Sequence, residues 1–275
     1  MISPECATLP TLLLCSVSSI AGIVGMLARS VFLRRLGVWL AVAVFISQSL
    51  MLMLGFHKAL PGGLSLGAYL QLFAWFVLLC GLIVWRKIKQ ETPLLFAAPL
   101  CLMLFAMSMS FLDAAVPLPA SLKVPFYALH IGALFLSLGL LAIAFFAALL
   151  FLFLEGRIKS KQRTQGFWQD MPAIVLLDKT NALTVLTAFP LYTLGIVSGL
   201  LWAKPVFGAS MTGDPKEVVS VVIWLIFAVL FHNRLVNNWK GRKPARFVVL
   251  IFLLCLFSIV VVNTVMNTNH AFLRG

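Results

Sequence analysis

The sequence predicts an all-α, polytopic membrane helix bundle of about eight transmembrane helices, and three observations carry that expectation. Of 275 residues, 62% are hydrophobic and 11% charged, against roughly 45–50% apolar and 25% charged in a soluble domain. The apolar residues gather in runs about 20 residues long, enough for a helix to cross a hydrocarbon core of roughly 30 Å. The 21 Lys and Arg stand in the short segments between those runs.

In order, the runs cover residues 7–28, 36–56, 65–85, 93–112, 126–154, 182–202, 218–236 and 247–266. Glu5 precedes the first run and Arg29, Arg34 and Arg35 follow it. A cleaved signal peptide has the opposite charge order, so this run reads as a retained span. No segment between runs is long enough for a soluble domain, and residues 1–275 read as a single membrane domain. The segment between spans 5 and 6 carries Phe167, Trp168 and the apolar stretch Ala173–Leu177, which predicts a short interfacial helix. Asp178, Thr180 or Asn181 is then expected to cap the sixth span. Within that span Pro190 predicts a kink, and Gly195 and Gly199 form a small-xxx-small pair that admits a neighbouring backbone. Before the seventh span, Asp214-Pro215-Lys216-Glu217 reads as a helix start, with Asp as cap, Pro at the first helical position and Glu three residues on.

The segments after spans 1, 3, 5 and 7 hold 16 of the 21 basic residues. The positive-inside rule puts those segments in the cytoplasm and both termini outside. The formal charge of +13 is accounted for in this way, and no nucleic-acid partner is expected; the lipid bilayer is the expected surroundings. The absence of a transit-peptide pattern favours a bacterial inner (plasma) membrane, with termini on the periplasmic side. Cys6, Cys15, Cys80, Cys101 and Cys255 form no C-x-x-C pair, so neither a disulfide framework nor a zinc site is read, and they are expected to act as small core residues.

Four histidines remain: His57, His130, His232 and His270. With eight spans, His57 ends the second span at the outer face, His130 lies a turn into the fifth, and His270 follows the eighth on that same side. His232 is set about 21 Å along the seventh span, in the cytoplasmic half. A neutral imidazole inside a membrane must be satisfied, either by a carbonyl or water at the interface or by a ligand such as haem iron. Only Asp113 and Asp214 join the histidines at the outer edge, a poor donor set for divalent-cation transport.

These pieces, in their order, resemble the cytochrome c assembly family of CcsA-type proteins and their HemX-like relatives. The resemblance is carried by Phe189-Pro190-Leu191-Tyr192-Thr193-Leu194-Gly195-Ile196-Val197-Ser198-Gly199 and Trp202-Ala203. Asp214-Pro215-Lys216-Glu217, Trp224-Leu225-Ile226, His232, Trp239-Lys240-Gly241-Arg242 and His270 continue it, and His130 and the stretch from Leu64-Ser65 to Trp75 lie upstream. It implies a membrane protein that handles haem b and presents it at the outer face for attachment to apocytochrome c, together with a companion membrane protein. His130 and His270 match the two outer-face axial ligands, and His232 matches a deeper haem position whose second ligand comes from the companion. The family's outer loop has the form Trp-Gly-x-x-Trp-x-Trp-Asp; this chain has Phe207-Gly208-Ala209-Ser210-Met211-Thr212-Gly213-Asp214, without the tryptophans. Phe207 and Met211 are then the candidates for the apolar surface a porphyrin face needs, beside Asp214, and His57 is a further outer-face candidate. The departure keeps a second expectation open, a HemX-like regulatory or scaffold subunit without haem delivery, and a small-molecule or ion transporter is a third. No catalytic residue is expected, because the thioether chemistry belongs to the haem vinyl groups and the acceptor's thiols.

Overall fold

The computed structural model describes residues 4–59, 65–111, 124–160, 171–211 and 213–262, and all regular structure among them is helical. Eight of these helices are long and apolar enough to cross a membrane. They are α1 (Pro4–Leu27), α2 (Val31–Ala59), α3 (Leu66–Ile88), α4 (Thr92–Ser108), α5 (Val124–Lys159), α6 (Ile174–Phe207), α7 (Pro215–Leu235) and α8 (Arg242–Phe257). A 3-10 turn, Met109–Phe111, continues α4, and a π turn, Ser258–Val262, continues α8. The chain is an integral membrane protein, as its hydropathy requires.

Two compact units divide it: Met1–Leu118 with Gln162–Pro172, and Pro119–Lys161 with Ala173–Gly275. In the first, α1 and α3 each pack on α2 and α4, a ring in chain order. α1 and α2 approach each other closely. A Cβ placed on Gly37 would stand 2.9 Å from the Gly22 nitrogen, and the Ser18 hydroxyl donates to the Gly37 carbonyl at 3.0 Å. Only a residue without a side chain allows that contact, the usual route by which membrane helices gain packing energy without a hydrophobic drive between them. Ser65 caps α3, accepting from the Ala68 nitrogen at 3.1 Å, and Lys89 ends it in the left-handed region. Leu9, Leu13, Val17 and Ile20 on α1 and Trp39, Ile46 and Leu50 on α2 are exposed, as a lipid-facing surface requires.

The second unit is also a ring in chain order, α5–α6–α7–α8, with α8 returning to α5. At 36 and 34 residues, α5 and α6 are about 54 and 51 Å long. Both outreach a hydrocarbon core of roughly 30 Å. They lie antiparallel with a seven-residue register. His130 Nδ1 meets the Gly195 carbonyl at 2.7 Å, Ser137 Oγ donates to the Ala188 carbonyl at 2.8 Å, and Asn181 Nδ2 donates to the Ala144 carbonyl at 3.3 Å. Positions 130, 137 and 144 on α5 thus face 195, 188 and 181 on α6. A repeat of seven keeps one stripe of each helix against its neighbour, and Ala133, Ala144, Ala147, Ala148 and Ala188, all buried, let the backbones approach.

The length of α6 corrects two expectations. Ala173–Leu177 belongs to no interfacial helix: Ile174 to Leu177 is the first turn of α6, and Ala173 is its cap residue with no side-chain cap bond. Asp178, Thr180 and Asn181 therefore sit inside the helix rather than at its cap. The apolar run began at 182, but the tertiary contacts of Asp178 and Asn181 hold the preceding turns in helix. Phe167 and Trp168 lie outside the described residues. α6 continues through Pro190. Its Ser and Thr hydroxyls are satisfied by back-bonding to carbonyls one turn earlier, as at Thr184, Thr187, Thr193 and Ser198, the arrangement expected where no water is at hand.

Candidate histidine site

Of the sequence-predicted residues, His130 has the most developed surroundings. It is the seventh residue of α5, and its half-buried ring lies across α6 at Gly199. A carbonyl can only accept, so the 2.7 Å contact with the Gly195 oxygen makes Nδ1 the donor. The proton is thereby fixed on Nδ1 and the lone pair on Nε2, as in metal-binding histidines oriented by a second hydrogen bond. Gly199 makes this possible: a Cβ there would lie 2.6 Å from both Cε1 and Nδ1 of the ring. The small-xxx-small pair read from the sequence is therefore the seat of the histidine, with Gly195 supplying the acceptor and Gly199 the space.

An aromatic wall flanks the ring. Trp202, one turn beyond Gly199, is nearly parallel to His130 at 14° with centroids 6.5 Å apart, and Tyr127 packs on Trp202 at 5.2 Å. Tyr127 was not singled out by sequence reasoning, although its spacing of three from His130 puts both on one helical face. Farther along α6, Phe189 meets Trp224, Phe227 and Phe231 of α7, and Trp224 Nε1 donates to Thr193 Oγ1 at 3.0 Å. These contacts fix α7 against α6.

Asp214 is buried and caps α7 as predicted, accepting from the Lys216 nitrogen at 2.8 Å with Pro215 at the first position. Glu217 differs from the expected reciprocal bond: Oε2 accepts from the Gly213 nitrogen at 3.1 Å, one residue earlier. This cap sits at the end of α7 that follows the α6 terminus bearing Trp202. Met211 is 58% exposed. The backbone of Phe207 closes α6, but its side chain is outside the described residues, as is that of His57, whose backbone lies in α2. His270 and Asp113 also lie outside them.

His232 is an exposed residue in the last turn of α7. Because α7 begins at Pro215, three residues before the apolar run, His232 stands about 25 Å along the helix, nearer its far end than expected. Two residues on, Arg234 is buried to 2% side-chain exposure. Its Nη2 donates to Asp178 Oδ1 at 2.9 Å and Asn181 Oδ1 at 2.6 Å, and its Nη1 donates to the Trp239 carbonyl at 2.8 Å. Asp178 Oδ1 also accepts from the Gly241 nitrogen at 3.0 Å. This cluster locks α6, α7 and the turn into α8 together, and sequence reasoning missed it. The available signal was an arginine at the end of a span, which needs a counter-charge nearby. No cluster of three or more His, Cys, Asp or Glu that would hold a metal ion occurs among the described residues.

An eight-span helical membrane protein with one histidine seated on a glycine pair and an aromatic wall is a definite class of molecule. The family model described as cytochrome C assembly protein matches residues 7–270, and the chain belongs to that family. It is 31% identical over 161 residues to the cytochrome c biogenesis protein CcsA of Chlamydomonas reinhardtii, covering 58% of this chain and 44% of that protein. It is 27% identical over 201 residues to the protein of the same name from Prochlorococcus marinus strain MIT 9303, covering 62% and 63%. The Guillardia theta protein of that name is 27% identical over 175 residues, 58% of each chain. The chain spans about half the length of these relatives.

Proposed function

We propose that this protein binds haem b in the membrane and presents it at the outer face for cytochrome c assembly, with His130 and His270 as axial ligands. The observation that carries the reading is the His130 seat. The Gly195 carbonyl holds the ring proton on Nδ1, so Nε2 has the lone pair that a ferric or ferrous iron requires. Trp202 and Tyr127 add apolar aromatic surface beside the ring. The residues present therefore fit the group. Haem when bound would supply the vinyl groups to which an acceptor's thiols add; this chain's own residues bind, orient and shield it, and no catalytic residue is assigned. His232, two residues from the Arg234 anchor and exposed on α7, is assigned to a deeper haem position completed by a companion membrane protein. Apocytochrome c is the proposed acceptor. By the positive-inside rule, the basic segments after spans 1, 3, 5 and 7 face the cytoplasm of a bacterial inner membrane.

Protein purified from cells supplied with haem is expected to show a low-spin Soret and α/β spectrum of bis-histidine type. His130→Ala and His270→Ala should each abolish the low-spin signature. A colourless wild-type protein, or a spectrum indifferent to both substitutions, refutes the reading. The run Phe207–Gly213, without the tryptophans of the family pattern, favours a second reading, a regulatory or scaffold subunit without haem delivery. A colourless protein that co-purifies stoichiometrically with a membrane partner would establish it.

A further inference from the structure

In the first unit α1, α2 and α4 enclose a cavity whose wall includes Ser19 of α1, Arg34 of α2, Leu94, Leu95 and Pro99 of α4, and Glu91 just before α4. About 20 Å³ of it is open to the centre of a water-sized sphere; one water needs roughly 10–15 Å³ on that measure.

Three polar groups on the lining residues lack their ordinary partners. The hydroxyl of Ser19, a residue 4% exposed, and the buried Nε of Arg34 have no hydrogen-bond partner among the described residues. Pro99 stands inside α4 and has no N–H to give the Leu95 carbonyl one turn earlier. Arg34 Nε approaches Glu91 Oε2, but at 3.7 Å the two are too far apart to bond directly, a spacing at which a bridging water is the usual answer. Ser19 sits about 12 Å inside the end of its span, Thr8–Leu27, at helical rise. An unsatisfied hydroxyl is costly there.

The mixture of donors and acceptors decides what suits the cavity. Arg34 Nε–H only donates, the Leu95 carbonyl and the Glu91 carboxylate only accept, and the Ser19 hydroxyl does either. An anion would face Glu91, and a cation would face Arg34. A neutral molecule that both donates and accepts fits the set, and the volume limits it to one water.

We propose that this cavity is an intramembrane water site. The water accepts from Arg34 Nε–H and the Ser19 hydroxyl and donates to Glu91 Oε2 and the Leu95 carbonyl, so all four of its hydrogen-bonding positions are used. It closes the long Arg34–Glu91 pair and ties α1 and α2 to α4 at Pro99. The inference is independent of the haem reading.

The full-length protein in lipid nanodiscs would be irradiated with X-rays in 18O-labelled water, and oxidation of each side chain read by mass spectrometry. Hydroxyl radicals born from a held water oxidise the side chains beside it. A membrane-impermeant scavenger removes those formed in bulk solvent. Leu94, 5% exposed, lines the cavity, whereas Leu78, 1% exposed, borders a void with no room for water. With the scavenger present, Leu94 is expected to take up label and Leu78 to stay at background. Ser19→Val, which puts a methyl group in place of the hydroxyl, should lower Leu94 to the Leu78 rate. Ser16→Val should leave it unchanged, because the Ser16 hydroxyl lies outside the cavity and donates to the Leu12 carbonyl at 2.9 Å. Should Ser19→Val fail to fold, the two leucines of the wild type decide the matter. Leu94 labelled no faster than Leu78, labelling that the scavenger quenches, or labelling undiminished in folded Ser19→Val would overturn the proposal.

Discussion

Replacing Gly199 by Ala tests the seat of His130 directly. The added Cβ would lie 2.6 Å from Cε1 and Nδ1 of the ring, while ordinary contact begins at about 3.5 Å. The ring must retreat from α6 by roughly 0.9 Å. The Gly195 carbonyl is on the same helix, so the retreat stretches a 2.7 Å bond beyond the roughly 3.2 Å limit of a sound hydrogen bond. Losing it costs about 1 kcal/mol, and the residual overlap costs about 1–3 kcal/mol. Ala is a better helix former than Gly by about 1 kcal/mol, which offsets part. The net expectation is about 1–3 kcal/mol of destabilisation and loss of the Nδ1–H tautomer preference. Gly156→Ala is the matched control: no atom lies within 4 Å of its Cβ, so helix propensity alone acts and stability should hold or rise by up to about 1 kcal/mol. Thermal unfolding in one detergent gives the stabilities, and 15N spectra of histidine-labelled protein give the tautomer. A Gly199→Ala protein as stable as Gly156→Ala, with the wild-type tautomer, would refute the packing argument.

Asp178→Ala should destabilise far more than its single charge suggests, because it strands a guanidinium with 2% side-chain exposure. About 3–5 kcal/mol is expected by thermal unfolding, against less than about 1 kcal/mol for Lys159→Ala, whose pair with Glu155 leaves the lysine 61% exposed. The sidedness read from charge is tested with single cysteines at Ser210 and Asn237 in a background where Cys6 is Ser. A membrane-impermeant maleimide added to intact cells should label the Ser210→Cys protein and spare the Asn237→Cys protein; the reverse pattern inverts the topology.

Much of this molecule was legible without coordinates, for a physical reason. In a bilayer the backbone must satisfy itself, so a run of about 20 apolar residues leaves little choice but a helix, and all eight spans were found. The Asp214 cap was legible too, because capping is local. The boundaries were less so. α6 starts eight residues before its apolar run, since Asp178 and Asn181 are held in helix by Arg234, a partner 50 or more residues away. The same holds for the candidate site. Sequence alone singled out His130 and the Gly195–Gly199 pair, each with an ordinary explanation. Only the antiparallel, seven-residue register of α5 on α6 brings them together, so that a carbonyl chooses the tautomer and a missing Cβ makes room for the ring. Likewise Cys15 and Cys101 read as small core residues, and only the packing of α1, α2 and α4 sets them beside Gln48. The sequence determined which segments enter the membrane; side-chain packing between them decided which polar groups meet there, because that depends on register, which no single helix contains.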